Sequence, residues 1–276
     1  MGAGHLVPAV PPPDPAEIAG LAAARAAVLS RIAEAAARAG RAPASVTLVA
    51  ISKTVPADRL RAAVSAGHHV LGENRVQEAA AKVPLVPGPR WHLVGPLQAN
   101  KARRAVEIFD VLEAVDSVEL ALRLDRIAAE LRPGRPLPIL LEVNVDADPG
   151  KAGFTPAVVA EALPGLLTLG NLEVRGLMTI GRLTATPEEA RTTFRRLREL
   201  ATRLRATHHG LGPELSMGMS DDFELAIEEG ATIVRVGRAL FGERRAVRDP
   251  DPGDAGPGLD PTADRAAAAG PGHPAE

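Results

Sequence analysis

Eight short apolar runs alternate with amphipathic stretches along a chain of 276 residues. That alternation predicts an α/β fold, a single (β/α)8 barrel of the TIM type preceded by an extra helix. Two further observations favour a closed barrel over an open sheet. The runs are rich in Val, Ile and Leu from end to end, as in Ile139-Leu140-Leu141-Glu142-Val143-Asn144-Val145, which suits parallel strands covered by helices. Eight βα units also fill one domain of this length, and 46% hydrophobic with 24% charged residues is the composition of one substantial core.

The segment 16–40 is rich in Ala, Leu, Ile, Arg and Glu and stops at Gly40, so it reads as a leading amphipathic helix. Strands are then expected at 46–52, 69–72, 91–95, 111–115, 138–145, 172–180, 214–218 and 232–236. Helices are expected at 56–66, 74–82, 98–109, 117–131, 155–167, 187–207, 221–229 and 238–241. Both ends of the chain are poor in core-forming residues. Disorder is therefore expected over the Pro-rich residues 1–15 and the Gly/Pro/Ala-rich tail 246–276, around a barrel spanning 16–245.

Composition excludes several functions. A net charge of -2 and a pI of about 6.4 give no basic field to attract nucleic acid or an anionic membrane. The absence of cysteine removes disulfides, thiolate metal sites and cysteine nucleophiles together, and is compatible with the reducing cytoplasm, the expected location. Prolines at 8, 11, 12, 13 and 15 argue against a signal peptide, and Leu6 stands where a myristoylation pattern after Gly2 needs Ser or Thr. No run approaches the roughly 18 apolar residues that cross a bilayer, so a soluble protein is expected.

Functional groups of such barrels gather at the C-terminal ends of the strands. Lys53 closes the first, and a primary amine there forms a Schiff base with an aldehyde when neighbours or a bound cofactor activate the pair. Glu73-Asn74-Arg75 follow the second strand, Gly95-Pro96-Leu97-Gln98 the third, and Asn144 lies near the end of the fifth. Loops after strands seven and eight often bind phosphate, and here they carry Ser220 and Gly237. Ser220 reads as an N-cap ahead of Asp221-Asp222-Phe223, while Gly218 and Gly237 offer backbone freedom. Asp221 and Asp222 would repel a phosphate, a charge that Arg238 or backbone amides must offset. Arg235 alternates with Val234 and Val236 and should face the barrel interior, where it needs an acceptor. A pyridine nitrogen, held unprotonated by the adjacent cation, and a buried carboxylate both qualify.

Other features carry no site. The pairs His68-His69 and His208-His209 diverge and lack supporting carboxylates, so no metal is expected. Asp148-Pro149-Gly150-Lys151-Ala152-Gly153 lacks the spaced glycine and the Ser/Thr of a nucleotide loop and reads as a turn. The arginines at 191, 195, 196, 198, 203 and 205 read as the salt-bridged face of a long helix.

A lysine on strand one, phosphate groups at strands seven and eight and an interior Arg resemble the fold-type III pyridoxal 5'-phosphate proteins. Within that group, Ile51-Ser52-Lys53-Thr54, Gly72-Glu73-Asn74-Arg75-Val76-Gln77-Glu78, Trp91-His92-Leu93-Val94-Gly95-Pro96-Leu97-Gln98, Gly176-Leu177-Met178-Thr179-Ile180, Leu215-Ser216-Met217-Gly218-Met219-Ser220-Asp221-Asp222 and Val234-Arg235-Val236-Gly237 resemble the pyridoxal phosphate homeostasis protein family. The resemblance implies the barrel of the alanine racemase N-terminal domain. It also implies an internal aldimine on Lys53, Asn74 near the cofactor, Arg235 at the pyridine nitrogen, and phosphate held by Ser220, Gly237 and Arg238. Members often have Tyr at Arg75 and Thr at Arg238, so these are departures.

The family's implied role is binding and buffering of the cofactor within vitamin B6 homeostasis, without turnover. Racemases and decarboxylases on this barrel add a Tyr or a Cys from a further domain or a partner chain, and this sequence has no Tyr and no Cys. The expectation is a carrier acting as a monomer or weak dimer, with apo pyridoxal phosphate enzymes as acceptors. The alternatives are a low-activity racemase or lyase using His92 or water as second base, and a cofactor-free lysine aldolase.

Overall fold

Asp14 opens the first helix. Its side chain accepts the N–H of Ala16 at 2.9 Å, and Pro15 brings a fixed φ to the first helical position. In the computed structural model, which describes residues 11–181 and 186–242, helix α1 runs Pro15–Arg38 and buries Leu21, Val28, Ile32, Ala35 and Ala36 along one stripe. Pro15 thus belongs to the helix rather than to the preceding segment. The disorder expected over 246–276 and over 1–10 lies outside the described residues.

Eight βα units follow: β1 Thr47–Ile51, α2 Ala57–Ser65, β2 Val70–Glu73, α3 Val76–Lys82, β3 Arg90–Leu93, α4 Ala102–Ile108, β4 Val111–Val115, α5 Val118–Leu131, β5 Leu137–Glu142, α6 Pro156–Leu166, β6 Leu172–Met178, α7 Pro187–Thr207, β7 Glu214–Ser216, α8 Phe223–Glu228, β8 Ile233–Val236 and α9 Arg238–Phe241. The strands pair in chain order into a closed parallel barrel, and β8 returns to β1 in the register Thr47↔Ile233 to Ala50↔Val236. This is the expected barrel. Its interior packs Val49, Val94, Val111, Leu140, Met178 and Ile233, while a larger apolar layer lies between strands and helices. The extra helix has a definite place. With only four residues in α9, α1 packs against α8, α9 and α2 and covers the seam where β8 meets β1. Arg41, just beyond α1, donates Nη1 to the carbonyls of Ile227 and Ala231 at 3.0 and 2.7 Å, tying the chain after α1 to the turn that ends α8.

Several expected boundaries move: β3 ends at Leu93 and β6 at Met178 rather than at 95 and 180, and α3 and α4 begin at Val76 and Ala102 rather than at 74 and 98. β5 stops at Glu142 rather than 145, because Asn144 turns into the following loop and donates Nδ2 to the Asp148 carbonyl at 2.7 Å. Residues 148–153 accordingly form the expected turn, with Lys151 N–H on the Asp148 carbonyl at 3.1 Å. β7 stops at Ser216, and α8 begins at Phe223 rather than 221. Among the described residues no helix is long and apolar enough to cross a membrane, and no group of His, Asp and Glu is disposed to hold a metal ion.

Candidate functional site

Two residues beyond β1, Lys53 takes the second position of a β-turn closed by the Val55 N–H on the Ser52 carbonyl at 3.0 Å. Thr54, in third position, has φ +64°, whereas Lys53 lies on the ordinary side. That combination is a type II turn, whose third position favours Gly or Asn and strains a β-branched residue. The turn is gripped from outside. Ser52 donates its hydroxyl to Glu73 at 2.7 Å, and Thr54 donates its N–H to Glu78 at 2.6 Å. The three hydrogens of the Lys82 ammonium go to the Ser52 carbonyl at 2.8 Å, Glu73 at 2.7 Å and Glu78 at 2.6 Å. Although burial acts the other way, Lys82 and the Thr54 N–H hold the Glu78 carboxyl below the usual carboxylate range. Lys53 is half-buried, and its amine engages no hydrogen bond or ion pair among the described residues.

Strand alternation turns Val234 and Val236 outward and Arg235 into the barrel, as expected. Its Nη1 donates to the Ser216 hydroxyl at 2.6 Å and its Nη2 to the Thr179 carbonyl at 2.8 Å. Ser216 in turn donates to Glu113 at 2.5 Å, and the other Glu113 oxygen lies 2.6 Å from His92 Nδ1. Burial by itself favours the neutral acid at Glu113, yet His92, Arg235 and Ser216 together hold its carboxyl below the usual range. Burial pushes the Arg235 guanidinium down from its ordinary value, against the charges of Glu113, Glu142 and Asp222. The carboxylate that the sequence left open as a partner is thus one hydroxyl away. Two of the five guanidinium hydrogens are engaged, which leaves donors for a ligand. His92 is removed from the mouth: it is pinned through Nδ1, and its buried Nε2 has no partner among the described residues.

The loops after β7 and β8 meet where Ser220 accepts the Gly237 N–H at 3.3 Å. Ser220 is not the N-cap of α8; that position is Asp222, whose side chain accepts the Met219 N–H at 2.6 Å and closes the loop locally. The hydroxyl of Ser220 is thereby turned towards β8. Gly218 has φ +90°, and a Cβ there would lie 2.5 Å from that of Ala226, so this glycine is required. Gly237, by contrast, has φ -117° and does not use a glycine's freedom. The Arg238 guanidinium pairs with Asp221, both largely exposed. Ser220, Asp221 and Arg238 line a cavity of about 520 Å³ together with Ala239 and with Arg31 of α1. Arg31, which the sequence did not single out, is held by Glu224 at 2.6 Å and stacks 4.5 Å above the Phe223 ring. Two guanidinium groups, each paired with a carboxylate, a hydroxyl and the Arg238 and Ala239 N–H groups at the start of α9 form a donor set that fits an anion such as a phosphate ester once Asp221 is drawn off Arg238.

Asn74 directly follows β2 and is half-buried, its carbonyl so close to Gly95 that a Cβ there would approach to 2.5 Å. Glu142, also absent from the sequence candidates, ends β5 on the same inward face as Leu140 and is 6% exposed. Burial and Asp116 push its carboxyl up to about 7, against Arg235 and Lys151. Lys151 spans the mouth, donating Nζ to the carbonyls of Ile180 and Gly181 at 3.1 and 2.7 Å. The available signal for Glu142 was a lone carboxylate in an otherwise apolar strand, two positions after Leu140 and so on the same face. Taken together, a free amine, an interior guanidinium and an anion-binding cavity suit an aldehyde that carries a phosphate.

The family model of the alanine racemase N-terminal domain matches residues 23–245. Over 222 residues the chain is 46% identical to the pyridoxal phosphate homeostasis protein of Pseudomonas aeruginosa, covering 79% of this chain and 93% of that one. Over 229 residues it is 39% identical to the protein of the same name from Escherichia coli, covering 79% and 94%. Among solved structures, PipY of Synechococcus elongatus with PLP bound superposes with a TM-score of 0.68 at 47% identity, covering 76% of this chain and 100% of that one.

Proposed function

The chain belongs to the pyridoxal phosphate homeostasis protein family, and from that premise we propose that it binds pyridoxal 5'-phosphate through Lys53 and takes part in vitamin B6 homeostasis as a carrier without turnover. The observation that carries this reading is the unengaged amine of Lys53, held in a strained turn at the end of β1, beside a barrel edge whose loops after β7 and β8 line a cavity with arginine and hydroxyl donors. Bound there, the cofactor supplies an aldehyde that a primary amine takes up reversibly as a Schiff base. Lys53 is the covalent tether. Ser220, Gly237 and Arg238 hold the phosphate, the last through its N–H and, once released from Asp221, through its guanidinium. Asn74 lines the ring, and Arg235 donates to the pyridine nitrogen and keeps it unprotonated, since two adjacent cations disfavour each other.

Reversible holding needs only access and water, and Lys53 is half-exposed. The acceptors in this reading are apo pyridoxal phosphate enzymes, in a reducing cytoplasm. The test is the visible absorbance of the purified protein, which Lys53→Ala abolishes. Borohydride reduction followed by peptide mapping locates the tether on the segment that contains Lys53. An unchanged spectrum in Lys53→Ala, or a modified lysine elsewhere, overturns the assignment.

A low-activity racemase or lyase is the second reading. Glu142, rather than the sequestered His92, would hold the proton, because it combines burial at the mouth with a carboxyl near neutrality. Turnover with a panel of L-amino acids that Glu142→Gln removes would favour it.

A further inference from the structure

Both residues that flank Lys53 are held by one cluster on α3 and at the end of β2. Ser52 is gripped at its carbonyl and at its hydroxyl, and Thr54 at its N–H. Lys53 itself makes no hydrogen bond or ion pair with any of these groups. Lys82 is the centre of the cluster: its side chain is only 10% exposed, its three donors are all used, and the two carboxylates that grip the turn both lie against it. A helix-surface Glu78–Lys82 pair at i,i+4 would need none of this burial, and such a pair contributes little. The reach to the Ser52 carbonyl, across from α3 to the end of β1, is what an ordinary surface pair lacks.

We propose that Lys82 is a positioning residue for Lys53: through Ser52, Glu73 and Glu78 it holds the type II turn whose second residue is Lys53, and so presents that amine in one place. The physical reason lies in the turn. Types I and II differ by a flip of the central peptide, here the one joining Lys53 to Thr54, and a β-branched residue at the third position favours flipping back. The Thr54 N–H, turned outward by the type II geometry, is captured by Glu78, which Lys82 holds in place. A turn free to flip would spread the amine over several positions, whereas addition to a carbonyl needs the reacting atoms about 3–3.5 Å apart in one orientation. The proposal rests on the reading of Lys53 as the cofactor's tether.

The test uses the full chain as wild type, Lys82→Met, Lys82→Arg, Glu78→Ala and Lys53→Ala. One readout needs no cofactor: hydrogen exchange at the Thr54 amide in protein stripped of pyridoxal phosphate. The other is the rate at which added pyridoxal phosphate develops the visible band, with the adduct fixed by borohydride and mapped. Glu78→Ala, whose side chain lies partly in solvent, keeps the melting temperature, speeds Thr54 exchange about tenfold and slows band formation about tenfold. Lys82→Met does the same, and Lys82→Arg restores most of the rate. If Lys82→Met does not fold, Glu78→Ala decides. A band that forms at the wild-type rate on Lys53 in Glu78→Ala, with or without faster exchange, overturns the positioning role alone. An adduct that persists in Lys53→Ala overturns the tether itself, and the proposal with it.

Discussion

Arg235 donates its Nη1 hydrogen to the hydroxyl of Ser216 at 2.6 Å, and that hydroxyl, not the guanidinium, makes the contact with Glu113. A neutral group therefore stands between the buried charges. Buried guanidinium and carboxylate in direct contact would saturate one another, whereas the relay balances the charge and leaves Arg235 donors pointing elsewhere. Ser216→Ala strips both partners of a charge-assisted hydrogen bond in the barrel interior. The expected loss is about 3 kcal/mol of unfolding free energy, read from urea denaturation at pH 7. A loss below about 0.5 kcal/mol would show that Arg235 and Glu113 close the gap directly.

Glu142 makes stability depend on pH in a definite sense. Its carboxyl is raised from 4.5 to about 7, so between those values the folded protein keeps a proton that the unfolded chain has released. The contribution is complete below the unfolded value and is lost as pH rises through 7. Glu142→Gln carries no such slope. Relative to wild type the variant gains on the order of 2 kcal/mol between pH 5 and pH 8, measured as the difference in unfolding free energy at the two pH values. Parallel pH profiles would refute the raised carboxyl.

Gly176 pairs with Glu214 across β6 and β7, and a Cβ at Gly176 would lie 1.9 Å from the Glu214 carbonyl oxygen. No side-chain rotation relieves a clash with backbone, so Gly176→Ala must push β6 and β7 apart in a closed barrel. The expected outcome is a loss of more than about 4 kcal/mol, seen as insoluble protein or a collapse of the melting temperature. A soluble variant that melts within a few degrees of wild type would show that β7 can yield.

The strands were legible because each is a short Val, Ile and Leu run that hydrophobic burial on both faces of a parallel barrel demands. Lys53, Arg235 and the loops after strands seven and eight were legible for a related reason: a barrel puts its chemistry at strand ends, and strand ends can be counted. The N-cap of α8 was misread because local preference could not distinguish Ser220 from Asp222; the choice fell to the Met219 N–H, which Asp222 reaches, and to Gly237, towards which Ser220 turns. Gly237 was read as offering backbone freedom and has φ -117°, which other residues also adopt.

What the amino-acid order alone determined is therefore the architecture, the strand that carries the lysine and the family to which those motifs point, since periodicity, turn chemistry and motif spacing are properties of neighbours along the chain. The tertiary structure decided which polar groups meet across it. Ser52 finds Lys82 at a separation of 30 residues, and Ser216 finds Glu113 at 103. The first contact is set by the pairing of β1 with β2 and the second by closure of the barrel, and in the low-dielectric interior that closure creates, a few hydrogen bonds fix how Lys53 and Arg235 are presented.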